Sequence, residues 1–157
     1  MEEKNKDEMY MRMALAEAQK AFDKGEIPIG AIVVCKDRII ARAYNLTETL
    51  IDVTAHAEMQ AITMAANMLG GKYLTDCTLY VTVEPCPMCA GAMINSRIRA
   101  LYFGAYDEKT GAAGSKVNLF EEGLFNHDII VSGGHRQEEC AALLSDFFKN
   151  KRKNRTV

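Results

Sequence analysis

Two short motifs carry the side chains best suited to chemistry. A His-Ala-Glu motif contains His56 and Glu58, and a Cys-Pro-Met-Cys motif thirty positions later contains Cys86 and Cys89. Imidazole and cysteine thiolate are ligands that Zn²⁺ binds well in proteins. A zinc ion held by His56, Cys86 and Cys89 would keep its fourth position for water and leave the Glu58 carboxyl free to carry protons. We therefore predict a hydrolytic metal site of the kind that replaces an aromatic amino group with oxygen.

A closed structural zinc site is the alternative interpretation of the same residues. Its fourth ligand would come from Cys77, Cys140 or His127, and Glu58 would then be an ordinary residue in the first turn of a helix. Cys77 and Cys140, like Cys35, lie within apolar runs, so we expect them to be small buried side chains. The joint pattern H-x-E…P-C-x-x-C is the signature of zinc-dependent nucleobase deaminases, and it favours the catalytic site.

Each motif begins a predicted helix directly after a loop or strand. Cys86 and Cys89 are three residues apart, so they share one face of a first helical turn. His56 and Glu58 are two residues apart and point roughly 200° away from each other on a regular helix. Both can flank one metal ion only if the ion lies over the tip of that helix. We therefore predict that two helix N-termini converge on one zinc ion.

The remaining pattern predicts the elements that hold these motifs. Apolar periodicity predicts helices at 8–24, 56–69, 87–96 and 138–149, and a short helix within 117–125. β-Branched and apolar runs predict strands at 29–35, 38–44, 77–83, 98–103 and 128–131. This order predicts an α/β fold of three α/β/α layers, with helices on both faces of one mixed five-stranded sheet. No repeat or long linker interrupts the chain, so we expect a single domain over residues 1–157.

Composition and charge are those of a globular protein. Of the 157 residues, 48% are hydrophobic and 25% are charged, which excludes a disordered chain. No apolar stretch approaches the roughly 18 residues of a membrane span and the N-terminus is polar, so we expect a cytoplasmic protein without a membrane partner. The net charge is −2, yet residues 149–157 contain five basic residues and no acidic one. This basic tail is either a phosphate-contacting segment or a solvated terminus.

The sequence resembles the bacterial tRNA-specific adenosine deaminases, which belong to the cytidine and deoxycytidylate deaminase superfamily. The resemblance runs from about residue 8 to residue 149 and rests on five motifs. These are GEIPIGA at 25–31, TAHAE at 54–58, TLYVTVEPCPMCAGA at 78–92, KTGAAGS at 109–115 and ECAALLSDFF at 139–148. The second and third occur in some form in cytosine, cytidine and guanine deaminases. The last two are much closer to the tRNA enzymes, and they favour that family.

This resemblance implies a cytidine-deaminase-like fold, a homodimer, and hydrolysis of the wobble adenosine in a tRNA anticodon stem-loop to inosine. It implies one Zn²⁺ per subunit, bound by His56, Cys86 and Cys89, with Glu58 as the catalytic proton carrier. No redox or nucleotide cofactor is expected. The anticodon loop supplies an unpaired base, so little unstacking is needed before the target enters the pocket.

The resemblance also implies substrate-binding residues, each of which has a plainer interpretation. Asn45 matches the position that hydrogen-bonds the target base, although asparagine also favours turns at strand ends. Asp107 matches a residue near the neighbouring ribose, and otherwise would be an ordinary loop aspartate. Lys109 and Ser115 are candidate phosphate contacts. Phe148 matches an aromatic residue that meets a loop base, but its place in the apolar stripe of the last helix is equally consistent with core packing.

The sequence departs from the family pattern at two positions. Val53 stands where relatives usually have proline, which should only loosen the loop before His56. Tyr106 stands where arginine is frequent, which removes a possible phosphate contact and offers an aromatic surface for a base. Neither change affects the expected chemistry.

Two other functions remain open at this point. A deaminase of a free purine, guanine above all, would use the same zinc chemistry, so the metal site does not separate it from a tRNA enzyme. The basic tail does separate them, because phosphate contacts make activity sensitive to salt. The second alternative is a non-catalytic binding module stabilised by zinc, in which Glu58 would have no role in any activity.

Overall fold

A mixed sheet of five strands with four helices organises the chain. The computed structural model describes residues 2–155. The elements are α1 (Glu2–Asp23), β1 (Gly30–Cys35), β2 (Arg38–Tyr44), α2 (Ala57–Leu69), β3 (Cys77–Val83), α3 (Pro87–Asn95), β4 (Ala100–Ala105), β5 (Ile130–Ser132) and α4 (Gln137–Arg155). Within the described residues, none of the helices is long and apolar enough to cross a membrane.

The strand order brings several chain segments to one end of the sheet. The order is β2-β1-β3-β4-β5, with β3, β4 and β5 parallel to one another. Strand β1 is antiparallel to both of its neighbours, so Ala31 pairs with Val81 and Gly30 pairs with Tyr44. The carboxyl ends of β2, β3 and β4 therefore meet the start of β1. We call this end of the sheet the site end.

Side chains alternate between the two faces of the central strand β1, as expected for a strand buried on both sides. Ala31 and Val33 pack in a core with residues of α2 and α3. Ile32 and Val34 lie on the opposite face, where they pack with residues of α1 and α4. All six residues of β1 are buried. The predicted three-layer α/β/α architecture is thus confirmed.

Two glycines allow helices to lie very close to the sheet. A Cβ atom on Gly30 would be 2.1 Å from the carbonyl oxygen of Ala14 in α1. A Cβ atom on Gly104 would be 2.4 Å from the Sγ atom of Cys140 in α4. Larger residues at either position would push a helix away from the sheet.

Helix α1 begins earlier than the apolar pattern predicts. Its first turns lie before residue 8 and are held by polar contacts rather than by an apolar face. Lys6 pairs with Asp37 at 3.4 Å, and the Tyr80 hydroxyl donates a hydrogen bond to Asp7. Apolar periodicity does not detect such turns, because it follows only hydrophobic side chains.

The last helix also extends past its predicted end. Helix α4 continues to Arg155, so the described part of the basic tail is helical, and its residues 149–154 are exposed to solvent. Lysine and arginine are good helix formers and are favourable near a helix C-terminus, which explains the extension. Residues 156 and 157 of the predicted tail lie outside the described residues.

Three smaller expectations also change. Strand β4 starts two residues later than predicted because Ile98 closes the turn after α3, where its amide donates to the Met93 carbonyl. Strand β5 is likewise shifted, to Ile130–Ser132. Within the described residues, 117–125 contain turns and no helix, and Ala113 forms an isolated bridge with Asn118 instead.

Candidate metal centre and its loops

The two motifs begin neighbouring helices at the site end of the sheet. His56 is the N-cap of α2 and Cys86 is the N-cap of α3, and both have extended backbone conformations. Pro87 occupies the first turn of α3, where its missing amide hydrogen costs no intrahelical bond. The starts of the two helices converge, as the spacing of the motifs predicts.

The three predicted ligand atoms lie at distances that suit a zinc ion. Nδ1 of His56 is 3.6 Å from Sγ of Cys86 and 3.5 Å from Sγ of Cys89, and all three ligand atoms lie within 4.8 Å of one another. In a tetrahedral zinc site, ordinary Zn–N and Zn–S bond lengths place nitrogen and sulfur about 3.6 Å apart. The donor set and the two nitrogen–sulfur distances therefore fit Zn²⁺.

Hydrogen bonds within the cluster favour a thiolate. The Cys89 thiol donates to Cys86, and together with the hydrogen bond to His56 this lowers the pKa of Cys86 to about 4 despite its partial burial. The same hydrogen bond, with burial, raises the pKa of Cys89. Hydrogen bonding to Cys86 raises the pKa of His56. Cys86 is thus the ligand that loses its proton most readily, and cation binding would displace the protons of the other ligands.

Glu58 is a buried carboxyl group beside this cluster. It lies in the first turn of α2 and is 4% exposed. Burial raises the pKa of Glu58 to about 7, and the charge of His56 and hydrogen bonding with Cys89 offset this only in part. Its oxygen atoms are not members of the group of three ligand atoms. An unligated carboxyl group next to the ligands is the arrangement that proton transfer requires.

The structure gives no fourth protein ligand among the described residues. Cys77 lies opposite Cys35 on neighbouring strands, and burial followed by hydrogen bonding to Cys35 raises the pKa of the Cys77 thiol to about 12. Cys140 is buried where α4 packs on β4. Nε2 of His127 lies 2.9 Å from the carbonyl oxygen of Ile98. The closed-site alternative is therefore contradicted for residues 2–155.

Asn45 lies close to the start of α2. It follows β2 and is 4% exposed. Its amide group donates to the carbonyl of Ile27 and accepts from the amide of Thr47, both at 3.4 Å. The next residue, Leu46, donates to the carbonyl of Ala55, directly before His56. Asn45 is thus within the loop region beside the metal cluster, with long and weak hydrogen bonds of its own.

The loop after β4, residues 106–115, contains three of the other four predicted contacts, and we call it the 106–115 loop. Asp107 accepts hydrogen bonds from the amides of Lys109 and Thr110 and from the Thr110 hydroxyl. Lys109 is exposed. The Ser115 hydroxyl donates to Glu84, and this bond uses the proton that a phosphate contact would need. Asp107 and Ser115 thus have structural partners within and beside the loop.

Phe148 lies outside the core. It is 44% exposed and meets Phe147 edge to face, with ring centres 5.4 Å apart. Phe147 is buried and contacts Phe22 of α1. The core-packing interpretation of Phe148 is therefore wrong. Tyr106 is also exposed, with its ring against Phe103, and Val53 is 84% exposed.

Two buried glutamates were missed by sequence reasoning. Glu26 is 1% exposed and accepts hydrogen bonds from the amides of Glu48 and Thr49. Glu84 is 3% exposed and accepts hydrogen bonds from the 106–115 loop, including that of Ser115. For Glu84 the available signal was a charged residue at the end of the apolar strand β3, whereas Glu26 follows a polar turn and gave no such signal. Each carboxylate anchors a loop at the site end.

Comparison with known proteins identifies the family. Residues 5–152 match the family model of the MafB19-like deaminases. The tRNA-specific adenosine deaminase of Bacillus subtilis (strain 168) is 51% identical over 149 residues, which are 95% of this chain and 92% of the relative.

Solved structures agree with this assignment and confirm the predicted cytidine-deaminase-like fold. One comes from studies of A-to-I editing by tRNA:A34 deaminases at the wobble position of transfer RNA. It has a TM-score of 0.83 and 46% identity and covers 87% of this chain and 99% of its own. The guanine deaminase of Nitrosomonas europaea has a TM-score of 0.77 but only 25% identity, covering 89% of this chain and 83% of its own. The chain therefore belongs to the tRNA-specific adenosine deaminase family.

Proposed function

We propose that this protein hydrolyses the wobble adenosine of a tRNA anticodon to inosine and ammonia, with one Zn²⁺ per subunit. The observation that carries this proposal is the group of His56, Cys86 and Cys89 with the free carboxyl group of Glu58 beside it. The relatives named as tRNA-specific adenosine deaminases support the choice of substrate, since their identity to this chain is about twice that of the guanine deaminase.

The chain's own residues divide the reaction between them. His56, Cys86 and Cys89 would hold Zn²⁺, which supplies Lewis-acid activation of water when it is bound. Glu58 accepts a proton from the attacking water and gives it to N1 of the purine ring, then takes the second proton from the hydroxyl group added at C6 and gives it to the departing amine. The burial of Glu58 keeps bulk water from competing for these protons. Water adds at C6 of the base and the C6–N6 bond breaks, which yields inosine and ammonia.

Loop residues bind the nucleotide around the reacting base. Asn45 hydrogen-bonds the target base, and the weak hydrogen bonds that it makes in the free protein can be exchanged for it. Asp107 lies near the neighbouring ribose, and Lys109 contacts phosphate. Phe148, with its exposed ring, meets a base of the anticodon loop. Ser115 takes part in binding by holding the 106–115 loop.

The active protein is a homodimer located in the cytoplasm with its tRNA substrate. Exposed apolar side chains next to the start of α2 support this assembly, since Ile51 is 92% exposed and Val53 is 84% exposed. Sedimentation should give twice the chain mass, and the pair of substitutions Ile51→Asp and Val53→Asp should shift the protein toward a monomer. A monomeric wild-type protein at micromolar concentration would contradict the dimer.

The direct test of the function compares two stem-loops and free guanine as substrates of one enzyme preparation. An anticodon stem-loop with a wobble adenosine should give inosine, whereas the same stem-loop with a wobble guanosine should remain unchanged. Free guanine should be turned over slowly or not at all. Rapid turnover of free guanine with no inosine from the stem-loop would replace this assignment with the free-purine deaminase.

A further inference from the structure

Glu84 is a buried carboxylate whose hydrogen-bond donors all belong to one loop. Oε1 accepts from the amide of Asp107 at 3.0 Å and from the Ser115 hydroxyl. Oε2 accepts from the amides of Ala113 at 2.9 Å and Ser115 at 3.1 Å. Among residues 2–155, no lysine, arginine or histidine forms an ion pair with it. The loop therefore solvates this negative charge in place of water.

The same carboxylate lies directly before the metal ligands of α3. Glu84 follows β3 and stands two residues before Cys86. Its amide donates to the carbonyl of Ala105 at 2.8 Å, where the loop departs from β4. The amide of Ala112 donates to the carbonyl of Pro85, also at 2.8 Å. The 106–115 loop is thus fastened along the segment that leads into the metal cluster.

The loop folds around this carboxylate without spare room. A Cβ atom on Gly111 would lie 2.4 Å from Cδ of Glu84 and 2.4 Å from the carbonyl oxygen of Asp107. The carbonyl oxygen of Asp107 belongs to the backbone, so it cannot move away by a change of side-chain rotamer. Any side chain at position 111 must therefore displace the loop from Glu84. Substitutions of Gly111 and of Glu84 thus disrupt the same contact, the first from the loop and the second from the carboxylate.

We propose that Glu84 is a positioning residue that fixes the 106–115 loop relative to the metal ligands and so determines how the nucleotides beside the target base bind. This inference rests on the proposed function, because the loop carries the nucleotide-contacting residues Asp107 and Lys109. Glu84 acts on RNA binding through the loop and not on the chemical step. Its loss should therefore change KM for the stem-loop much more than kcat.

The test compares Glu84→Gln and Gly111→Ala with the wild-type holoenzyme, and Gly71→Ala is the control because a Cβ atom there meets nothing within 4 Å. Hydrogen–deuterium exchange should show lost protection across 106–115 in both test variants. Zinc content should stay at the wild-type level. KM for the stem-loop should rise about tenfold or more, because buried donors lose their acceptor, while kcat changes by less than about threefold.

Each other outcome has a distinct meaning. A loosened loop with unchanged KM, or an unchanged loop, would overturn the proposal, and loss of zinc would assign Glu84 to the metal site instead. If both variants fail to fold, Ser115→Ala can be used, because it removes one of the four hydrogen-bond donors to Glu84. This variant should raise KM for the stem-loop about threefold. An unchanged KM would again overturn the proposal. A wild-type protein inactive on the stem-loop contradicts the proposed function, whereas the exchange data still test the link between Glu84 and the loop.

Discussion

Nδ1 of His56 lies 3.5 Å from Sγ of Cys89, although 33 residues separate them in the chain. Their meeting depends on β1, which is antiparallel to both β2 and β3, so the strands that precede α2 and α3 end at the same end of the sheet. The connection from β3 to α3, residues 84–86, is short and largely buried, whereas the connection from β2 to α2, residues 45–56, is long and mostly exposed. The metal centre is therefore a property of the whole sheet rather than of either motif alone.

Removing one ligand should remove the metal. We expect Cys89→Ala to purify with far less than the wild-type zinc content, because a site with two remaining protein ligands binds Zn²⁺ weakly. Thermal unfolding should also occur at a lower temperature, since metal bound to the folded state stabilises it. Metal analysis and calorimetry on the purified protein measure both effects.

Cys77→Ala provides the matched control, because Cys77 is an equally buried cysteine outside the cluster. It should keep the full zinc content and be destabilised by about 1 kcal/mol, as for an ordinary core substitution. A loss of zinc in this variant would restore the closed site with Cys77 as its fourth ligand.

Glu26 should make stability depend on pH. Burial acts to raise the pKa of Glu26, but hydrogen bonds from Thr49 and the Glu48 amide, with the charge of Lys151, outweigh it and hold the pKa below its ordinary value. The folded state thus favours the ionised form of Glu26, which stabilises the fold at pH values above the unfolded-state pKa of about 4.3. This stabilisation is lost as the pH falls through the lower folded-state pKa of Glu26.

Denaturant unfolding at two pH values measures this contribution. At pH 7, Glu26→Gln should lower the free energy of unfolding by about 1–3 kcal/mol, the range for hydrogen bonds to a charged group. The difference from wild type should shrink as the pH is lowered toward 3. The exposed Glu122→Gln variant should show no such pH dependence, and an equal deficit for Glu26→Gln at both pH values would refute the assignment.

The basic end of α4 should control the salt dependence of RNA binding. Changing Lys149, Arg152 and Lys153 to glutamine keeps the helix but removes three charges from an exposed surface. If all three meet phosphates, the slope of log K against log salt should fall by about 2. Binding of the anticodon stem-loop at several salt concentrations measures the slope.

The triple variant Lys36→Gln, Arg38→Gln and Lys72→Gln is the control for this experiment. Lys36 and Arg38 belong to the β1–β2 hairpin at the end of the sheet opposite the site end. Their neutralisation should leave the slope unchanged. Equal slopes for the two triple variants would show that the basic end of α4 does not follow the RNA backbone.

The local motifs were readable from the sequence, whereas contacts between distant segments were not. The spacing of His56, Cys86 and Cys89 predicted that their side chains would cluster, as they do, because a first helical turn fixes which side chains share a direction. The role of Glu84 could not be predicted from the sequence, because its partners are backbone amides more than twenty residues away. The presence of a backbone amide does not reveal which residue type will pair with it. The first turns of α1 were missed for a related reason, since Asp7 is held by Tyr80 from another element.

The exposure of Phe148 shows that helical periodicity alone does not predict which side chains are buried. The stripe that ends in Phe147 and Phe148 predicts that both rings face the core, yet only Phe147 is buried. Phe22 of α1 covers the ring of Phe147, whereas the ring of Phe148 meets only Phe147 among the described aromatic rings. Periodicity reports which face is apolar, but not where the neighbouring layer ends.

Glu58→Gln tests the central claim, that a carboxyl group free of the metal carries the proton. Zinc content and inosine formation on the anticodon stem-loop should be measured on the same preparations of wild type, Glu58→Gln and the exposed control Glu122→Gln. We expect equal zinc in all three and at least a 100-fold loss of inosine formation in Glu58→Gln alone, since a proton carrier typically contributes about 10²–10⁴. Wild-type activity in Glu58→Gln, or loss of its zinc, would contradict the account.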